Sequence, residues 1–249
     1  MKKIIKLLSL IVIVVMLLTS CSEVIDFFFA PDYREVTNDI FAKYIEMNLI
    51  VETSSEVGSK ELTSQGSGVI YAKEGGYYYC LTNAHVVETA ANAKNVTYTV
   101  TDCYGVAHKA ILVHADASRD LAVLKFISAE SLCIVELATF DPFVGQNVTV
   151  ISTSNHLINA VTYGKVRTYD TVNITDSNGN DDTRVTFPVI WHDAPMWDGG
   201  SGSVVLNMDM ELVGINYAVA TNSQGQFYYG FAVSVSHVRE YLEENNLMI

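Results

Sequence analysis

Between residues 48 and 235 the chain runs in short stretches that alternate apolar with polar positions or carry a brief apolar run, separated by Gly, Asn, Asp and Ser. NLIVET (48–53), GVIYA (68–72), YYYCLT (77–82), VTYTV (96–100), KAILVHA (109–115) and LAVLKFI (121–127) are the first of these. NVTVIS (147–152), AVTYGKV (160–166), VTFPVIW (185–191), SVVLN (203–207), ELVGINYAV (211–219) and FYYGFAVSV (227–235) follow. Their Val, Ile, Thr, Tyr and Phe content predicts about a dozen β-strands. Helical spacing is confined to the ends. In VTNDIFAKYIEM (36–47), Ile40, Phe41, Tyr44 and Ile45 fall on one face and predict a short helix packed on the domain surface, and residues 237–245 predict a closing helix. So many strands with so little helix suggest two small antiparallel barrels or a sandwich. The polar run DSNGNDD (176–182) reads as a turn, and DPFVGQ (141–146) as the junction between two halves.

The N-terminus changes the picture of where the protein works. Lys2, Lys3 and Lys6 precede an apolar run from Leu7 to Leu18 that is too short for a comfortable membrane span, the pattern of an export signal. LTSC (18–21) resembles a bacterial lipobox, which implies that Cys21 receives a diacylglycerol and becomes the mature N-terminus, with the residues up to 46 as tether and helix. Removing residues 1–20 takes three of the 15 basic side chains and none of the 28 acidic ones, leaving 12 against 28, a net charge of −16. Such a surface disfavours nucleic acid. Cys80, Cys103 and Cys133 remain as an odd set without a CxxC pair, so no disulfide framework is indicated. No HExxH or Cys/His cluster is present, and no metal or other cofactor is predicted.

Candidate chemistry centres on DGGSGS (198–203), which holds three of the chain's 15 glycines around Ser201. A nucleophilic serine needs an exposed oxygen, a base beside it, and N–H groups converging on the oxygen that becomes negative, and glycines let the backbone supply these. Of six histidines, only His85 sits at a strand end, in TNAHVV (82–87), and Asp120 heads the strand in RDLAVLKF (119–126). Each feature alone also fits a hairpin turn, a packed imidazole or a turn acid. His108 and His114 read as surface side chains, Cys80 as an apolar filler under the His85 turn, and the sequons at Asn95, Asn147 and Asn173 as ordinary strand-edge sequence.

Together these segments resemble the trypsin-like serine proteases of the chymotrypsin fold, most closely the HtrA/Deg branch. The order His85, Asp120, Ser201 is that family's order, and the match extends through GSGVI (66–70), LTNAHVV, DLAVLK, HDAPMWDGGSG (192–202), ELVGIN (211–216) and GFAVSVSHVREYLE (230–243). The resemblance implies an all-β fold of two six-stranded antiparallel barrels, one over about 47–140 and one over about 141–249. It implies that Ser201 attacks the scissile carbonyl, His85 carries the proton and Asp120 holds the imidazole. The N–H groups of Gly199 and Ser201 would form the oxyanion hole, while Gly66, Ser67 and Gly68 would be a strand entrance with no partners at the site. The specificity pocket would have Pro195 at its floor, with Met196, Ile215, Asn216, Tyr217 and Ala232 around it, suiting a modest apolar side chain.

Several positions depart from the branch: Gly200 replaces asparagine, Ser203 glycine and Val204 proline, and TSNH (153–156) replaces a glycine-rich loop. Gly200 and that loop put in question whether the oxyanion hole is formed constitutively. With 48 residues after Ser201, no room is expected for the PDZ domain many relatives append. The expected activity is that of a lipid-anchored extracytoplasmic endopeptidase acting on exported or unfolded proteins. The alternative is an inactive protease-fold binding module at the membrane. Neither the physiological substrate nor the oligomeric state is readable from the sequence.

Overall fold

A computed structural model describes residues 44–153, 158–175, 183–222 and 224–249. Cys21, residues 36–43 of the expected first helix, Ser154–His156 of the remodelled loop and the 176–182 turn lie outside the described residues. Twelve strands form two closed antiparallel barrels. The first contains β1 (Asn48–Val57), β2 (Lys60–Glu74), β3 (Tyr77–Thr82), β4 (Lys94–Thr101), β5 (Ala107–Asp116) and β6 (Leu121–Phe126), in the order β1-β2-β3-β6-β5-β4. The second contains β7 (Asn147–Ser152), β8 (Ala160–Asp170), β9 (Val189–His192), β10 (Val204–Leu206), β11 (Leu212–Thr221) and β12 (Phe227–Ser234), in the order β10-β11-β12-β9-β8-β7. Closure leaves no strand edge unpaired, so alternating strands can bury one face each without inviting edge-to-edge association.

The alternation seen in the sequence becomes two filled interiors. Leu49, Val51, Val69, Leu81, Val100, Val123 and Leu124 are buried in the first barrel, and Val150, Val166, Ile190, Val205, Leu206, Ile215 and Ala232 in the second. YYYCLT and NVTVIS coincide with β3 and β7. β9 starts only at Val189 rather than at residue 185, because Pro188 has no N–H to give to a ladder. β2 is far longer than GVIYA, since its exposed polar half, from Lys60, pairs along β1 as a hairpin. Gly66, Ser67 and Gly68 therefore lie inside a strand and not at its entrance.

Three devices hold the barrels together. The linker between β6 and β7 is stitched to both: Val135 N–H donates to Ile70 C=O of β2, and Leu212 N–H of β11 donates to Glu136 C=O. The closing helix α2 (Val235–Glu244) begins two residues earlier than the apolar spacing indicates and buries Val235, Val238, Tyr241 and Leu242. It returns to the first barrel, where Tyr241 Oη donates to His114 C=O at 3.2 Å, and Arg239 caps the linker carbonyls of Leu137 and Ala138. Asn48 of β1 donates to Thr153 Oγ1 and to Asn159 Oδ1 on the β7–β8 loop. The first described turn, Ile45–Met47, is a single 3-10 turn that buries Met47.

His108 and His114 are not free surface side chains. His108 Nε2 lies 2.8 Å from the buried Asp102 carboxylate, and His114 packs on the Tyr241 ring, so both serve the β4–β5 hairpin and the helix contact. Cys80 is fully buried, its sulfur at the place a side chain on Gly68 would occupy.

Candidate active site

The cleft between the barrels collects the three residues singled out in the sequence, each from a different kind of element. His85 lies on α1 (Ala84–Val87), a single turn that follows β3 directly. Asp120 is the residue before β6 and has φ +51, a left-handed conformation in which aspartate is enriched among non-glycine residues. That turn aims the carboxylate at α1. His85 Nδ1 is 2.7 Å from Asp120 Oδ2, and His85 N–H donates to Asp120 Oδ1 at 2.9 Å. Asp120 is 1% exposed and the His85 side chain 30%, so the carboxylate is shielded while the imidazole reaches solvent. Asn83 Nδ2 donates to Asp120 C=O and fixes the turn from the other side.

Ser201 stands at the centre of the tight turn before β10. Gly202 has φ +84, and a Cβ there would lie 2.0 Å from Ser67 C=O and 2.5 Å from Thr82 Oγ1, so no side chain fits. Gly199 has φ +94. Gly200 is needed for space: a Cβ would meet Met196 Cε at 2.7 Å and Trp197 C=O at 2.9 Å. The residue that replaces asparagine is thus matched to a methionine packed against it, and Gly200 N–H donates to Trp197 C=O at 2.9 Å.

Among the described residues no hydrogen bond joins Ser201 to His85. The Ser201 hydroxyl instead points to Tyr217 C=O at 3.4 Å, a long contact for an O–H donor. Catalytic hydrogen bonds are often open in unliganded sites and tighten when substrate arrives.

Two cavities meet here. One of about 140 Å³ is lined by Met196, Trp197, Asp198, Gly199, Ser201, Ala218 and Val219, and one of about 320 Å³ by His85, Asp120, Ile174, Arg184, Tyr217 and Ala218. Of the expected pocket residues, only Met196 lines the cavity beside Ser201. Pro195 is half-buried outside that lining. Ile215 and Asn216 are fully buried on opposite faces of β11, and Asn216 Oδ1 accepts from His192 Nε2–H at 2.7 Å while its Nδ2 donates to Ser203 Oγ at 3.0 Å. Tyr217 lines the neighbouring cavity, and burial raises its phenol pKa well above the ordinary value.

Sequence reasoning missed four residues. Asp198, an exposed residue, adds a carboxylate to the lining of the smaller cavity, and Ala218 lines both cavities. Arg184 reaches across the cleft to Glu88, just after α1, with Nη1 to Oε2 of 2.6 Å. Ser67, set aside as having no partner at the site, is fully buried against the Ser201 turn. A polar residue between glycines inside an otherwise apolar strand segment was the available signal for it.

Residues 66–215 match the trypsin-like peptidase domain family. The chain is 31% identical over 209 residues to a probable periplasmic serine endoprotease DegP-like of Halomonas elongata, covering 84% of this chain and 40% of that protein. It is 34% identical over 204 residues to the serine protease Do-like HtrA of Bacillus subtilis, covering 79% and 42%. It is 31% identical over 218 residues to the serine protease PepD of Mycobacterium tuberculosis, covering 82% and 45%. The chain thus spans less than half the length of these curated relatives.

Proposed function

The chain belongs to the trypsin-like peptidase family, and from that premise we propose that it is a serine endopeptidase of the HtrA type acting on proteins outside the cytoplasm. The observation that carries the reading is the imidazole of His85, bound through Nδ1 to a buried carboxylate and lining a cleft that continues past Ala218 to Ser201. Such a bond fixes the proton on Nδ1 and leaves Nε2 as a base.

In the proposed reaction the Ser201 hydroxyl turns from Tyr217 C=O to His85 Nε2. Its oxygen bonds to the scissile carbonyl carbon as the proton passes to Nε2. The C–N bond then breaks, the leaving amine takes that proton, and the acyl group remains on Ser201. A water molecule, deprotonated by Nε2, releases the acid and restores the serine. Asp120 stabilises the imidazolium formed at each step. The Gly199 and Ser201 N–H groups have no acceptor among the described residues, which leaves them to the carbonyl oxygen as it becomes negative.

The 140 Å³ cavity is about the size of one that holds benzene. With Met196, Ala218 and Val219 in its wall it suits valine, alanine or leucine before the cut. Asp198 also lines this cavity and adds a carboxylate to an otherwise largely apolar wall. The names of relatives support an extracytoplasmic location, and the lipobox-like LTSC supports anchoring through lipid on Cys21. Among the described residues no helix is long and apolar enough to cross a membrane.

A second reading, an inactive binding module, draws on the Ser201 hydroxyl resting on Tyr217 C=O rather than on His85. Reaction of the protein with a fluorophosphonate separates the two. Covalent modification of Ser201, absent in Ser201→Ala, is expected for the peptidase; an unmodified Ser201 favours the binding module.

A further inference from the structure

The structure assigns Ser67, in the first barrel, as a positioning residue that holds the oxyanion-binding turn of the second barrel in its working shape. This inference rests on the peptidase reading above. The turn's peptide groups can be accounted for one by one. The carbonyl of Gly200 accepts from Ser203 N–H at 3.0 Å, and the amides of Gly200 and Gly202 donate to Trp197 C=O at 2.9 Å and Asn216 C=O at 2.8 Å. The two remaining carbonyls, of Gly199 and Ser201, both end on Ser67. Its hydroxyl proton goes to Gly199 C=O at 2.8 Å, the nearer of two carbonyls with Thr153 C=O at 3.3 Å, and its N–H donates to Ser201 C=O at 2.7 Å. Only the amides of Gly199 and Ser201 are left without an acceptor among the described residues.

Ser67 is itself immobilised. It is fully buried in β2, its hydroxyl accepts from Thr153 N–H at 2.9 Å, and its carbonyl accepts from Thr82 Oγ1 at 2.8 Å. The Ser67 N–H bond survives any substitution except proline, so the hydroxyl is the part that sequence controls. It fixes the Gly199–Gly200 peptide plane from the first barrel. The adjoining Asp198–Gly199 peptide has neither its C=O nor its N–H bonded among the described residues, so it turns most easily once the Gly199–Gly200 peptide loses the Ser67 bond and is held only through Gly200 N–H to Trp197 C=O. Turning it removes the Gly199 N–H from the hole and presents the Asp198 carbonyl instead. Inter-barrel register and oxyanion binding are thereby coupled through one hydroxyl.

The test compares the parent protein with Ser67→Ala and with Ser67→Cys, which keeps the unbranched shape and is only slightly larger but offers only a weak donor. Losing one oxyanion donor costs about 10²–10³ in kcat. Steady-state hydrolysis of a peptide ester, per mole of folded enzyme, should show kcat lower by about 10²-fold in Ser67→Ala with KM little changed, and an intermediate loss in Ser67→Cys. Unchanged kcat in both folded variants would overturn the assignment, as would a loss confined to KM. A second readout does not depend on hydrolysis: backbone amide NMR of the parent should show single sharp Gly199 and Ser201 signals, and Ser67→Cys should show them exchange-broadened or doubled. If the parent neither hydrolyses ester nor reacts with fluorophosphonate, the peptidase reading fails, while the NMR comparison still decides whether Ser67 holds the turn. Identical signals in parent and variants would then reject its positioning role.

Discussion

Replacing Gly202 by alanine tests directly how tightly the two barrels are joined at Ser201. The residue has φ +84, a region that costs an L-residue about 1–2 kcal/mol. A Cβ would also lie 2.0 Å from Ser67 C=O, 2.5 Å from Thr82 Oγ1 and 3.0 Å from the Ser67 carbonyl carbon. Two of those atoms are backbone within the closed first barrel, so they cannot swing aside as a side-chain end would. Overpacking of this kind adds about 1–3 kcal/mol, giving about 2–5 kcal/mol together. Gly58 supplies the control: its φ is +65, but a Cβ there meets nothing within 4 Å, so Gly58→Ala should cost only the dihedral part. For a domain of this size each kcal/mol moves Tm by about 2–4 °C. Gly202→Ala should therefore melt about 2–12 °C below Gly58→Ala in calorimetry, and it should also lose activity while Gly58→Ala retains it. Equal melting temperatures would refute the reasoning, because they would mean that β2 and the Ser201 turn are not in the contact described.

Removing Ser201 or His85 with alanine should each lower kcat by about 10⁶, with the double variant little worse, and Asp120→Asn should cost about 10⁴ while keeping the fold; steady-state kinetics with an unfolded protein substrate checks this. Burial holds the His192 imidazole below its ordinary pKa despite its hydrogen bond to Asn216, so the unfolded chain takes up that proton first. Stability should then be fully present above the unfolded value of about 6.5 and fall as the pH drops below it, a slope that urea unfolding between pH 5 and 7.5 should show flattened in His192→Gln. Burial raises the Cys80 thiol pKa strongly and pushes Cys103 up to about 11, so at pH 8 iodoacetamide should leave Cys80 unmodified in the native protein and modify it only after unfolding, as read by peptide mass spectrometry. A mass-spectrometric map of cut sites should favour valine, alanine or leucine before the bond, and dominance of lysine or arginine, abolished by Asp198→Asn, would make the Asp198 carboxylate the determinant.

Period-two alternation and β-branched runs determined the twelve strands by themselves, because the pleat of a strand imposes that period wherever one face is buried. The motifs around His85, Asp120 and Ser201 were likewise legible, since each needs a specific local backbone that only certain residues permit. Other features depend on what comes to lie beside a residue from far along the chain. Pro188 shortened β9, whereas the exposed half of β2 exists because β1 is there to pair with it. Ile215 and Asn216 are buried on the two faces of β11, and Ala218 and Val219 further along the same strand line the cavity. Ser67 read as a strand residue between glycines. Only closure of two barrels against each other brings its hydroxyl 2.8 Å from Gly199 C=O, 132 positions away, and no local pattern encodes a contact between residues so far apart in the chain.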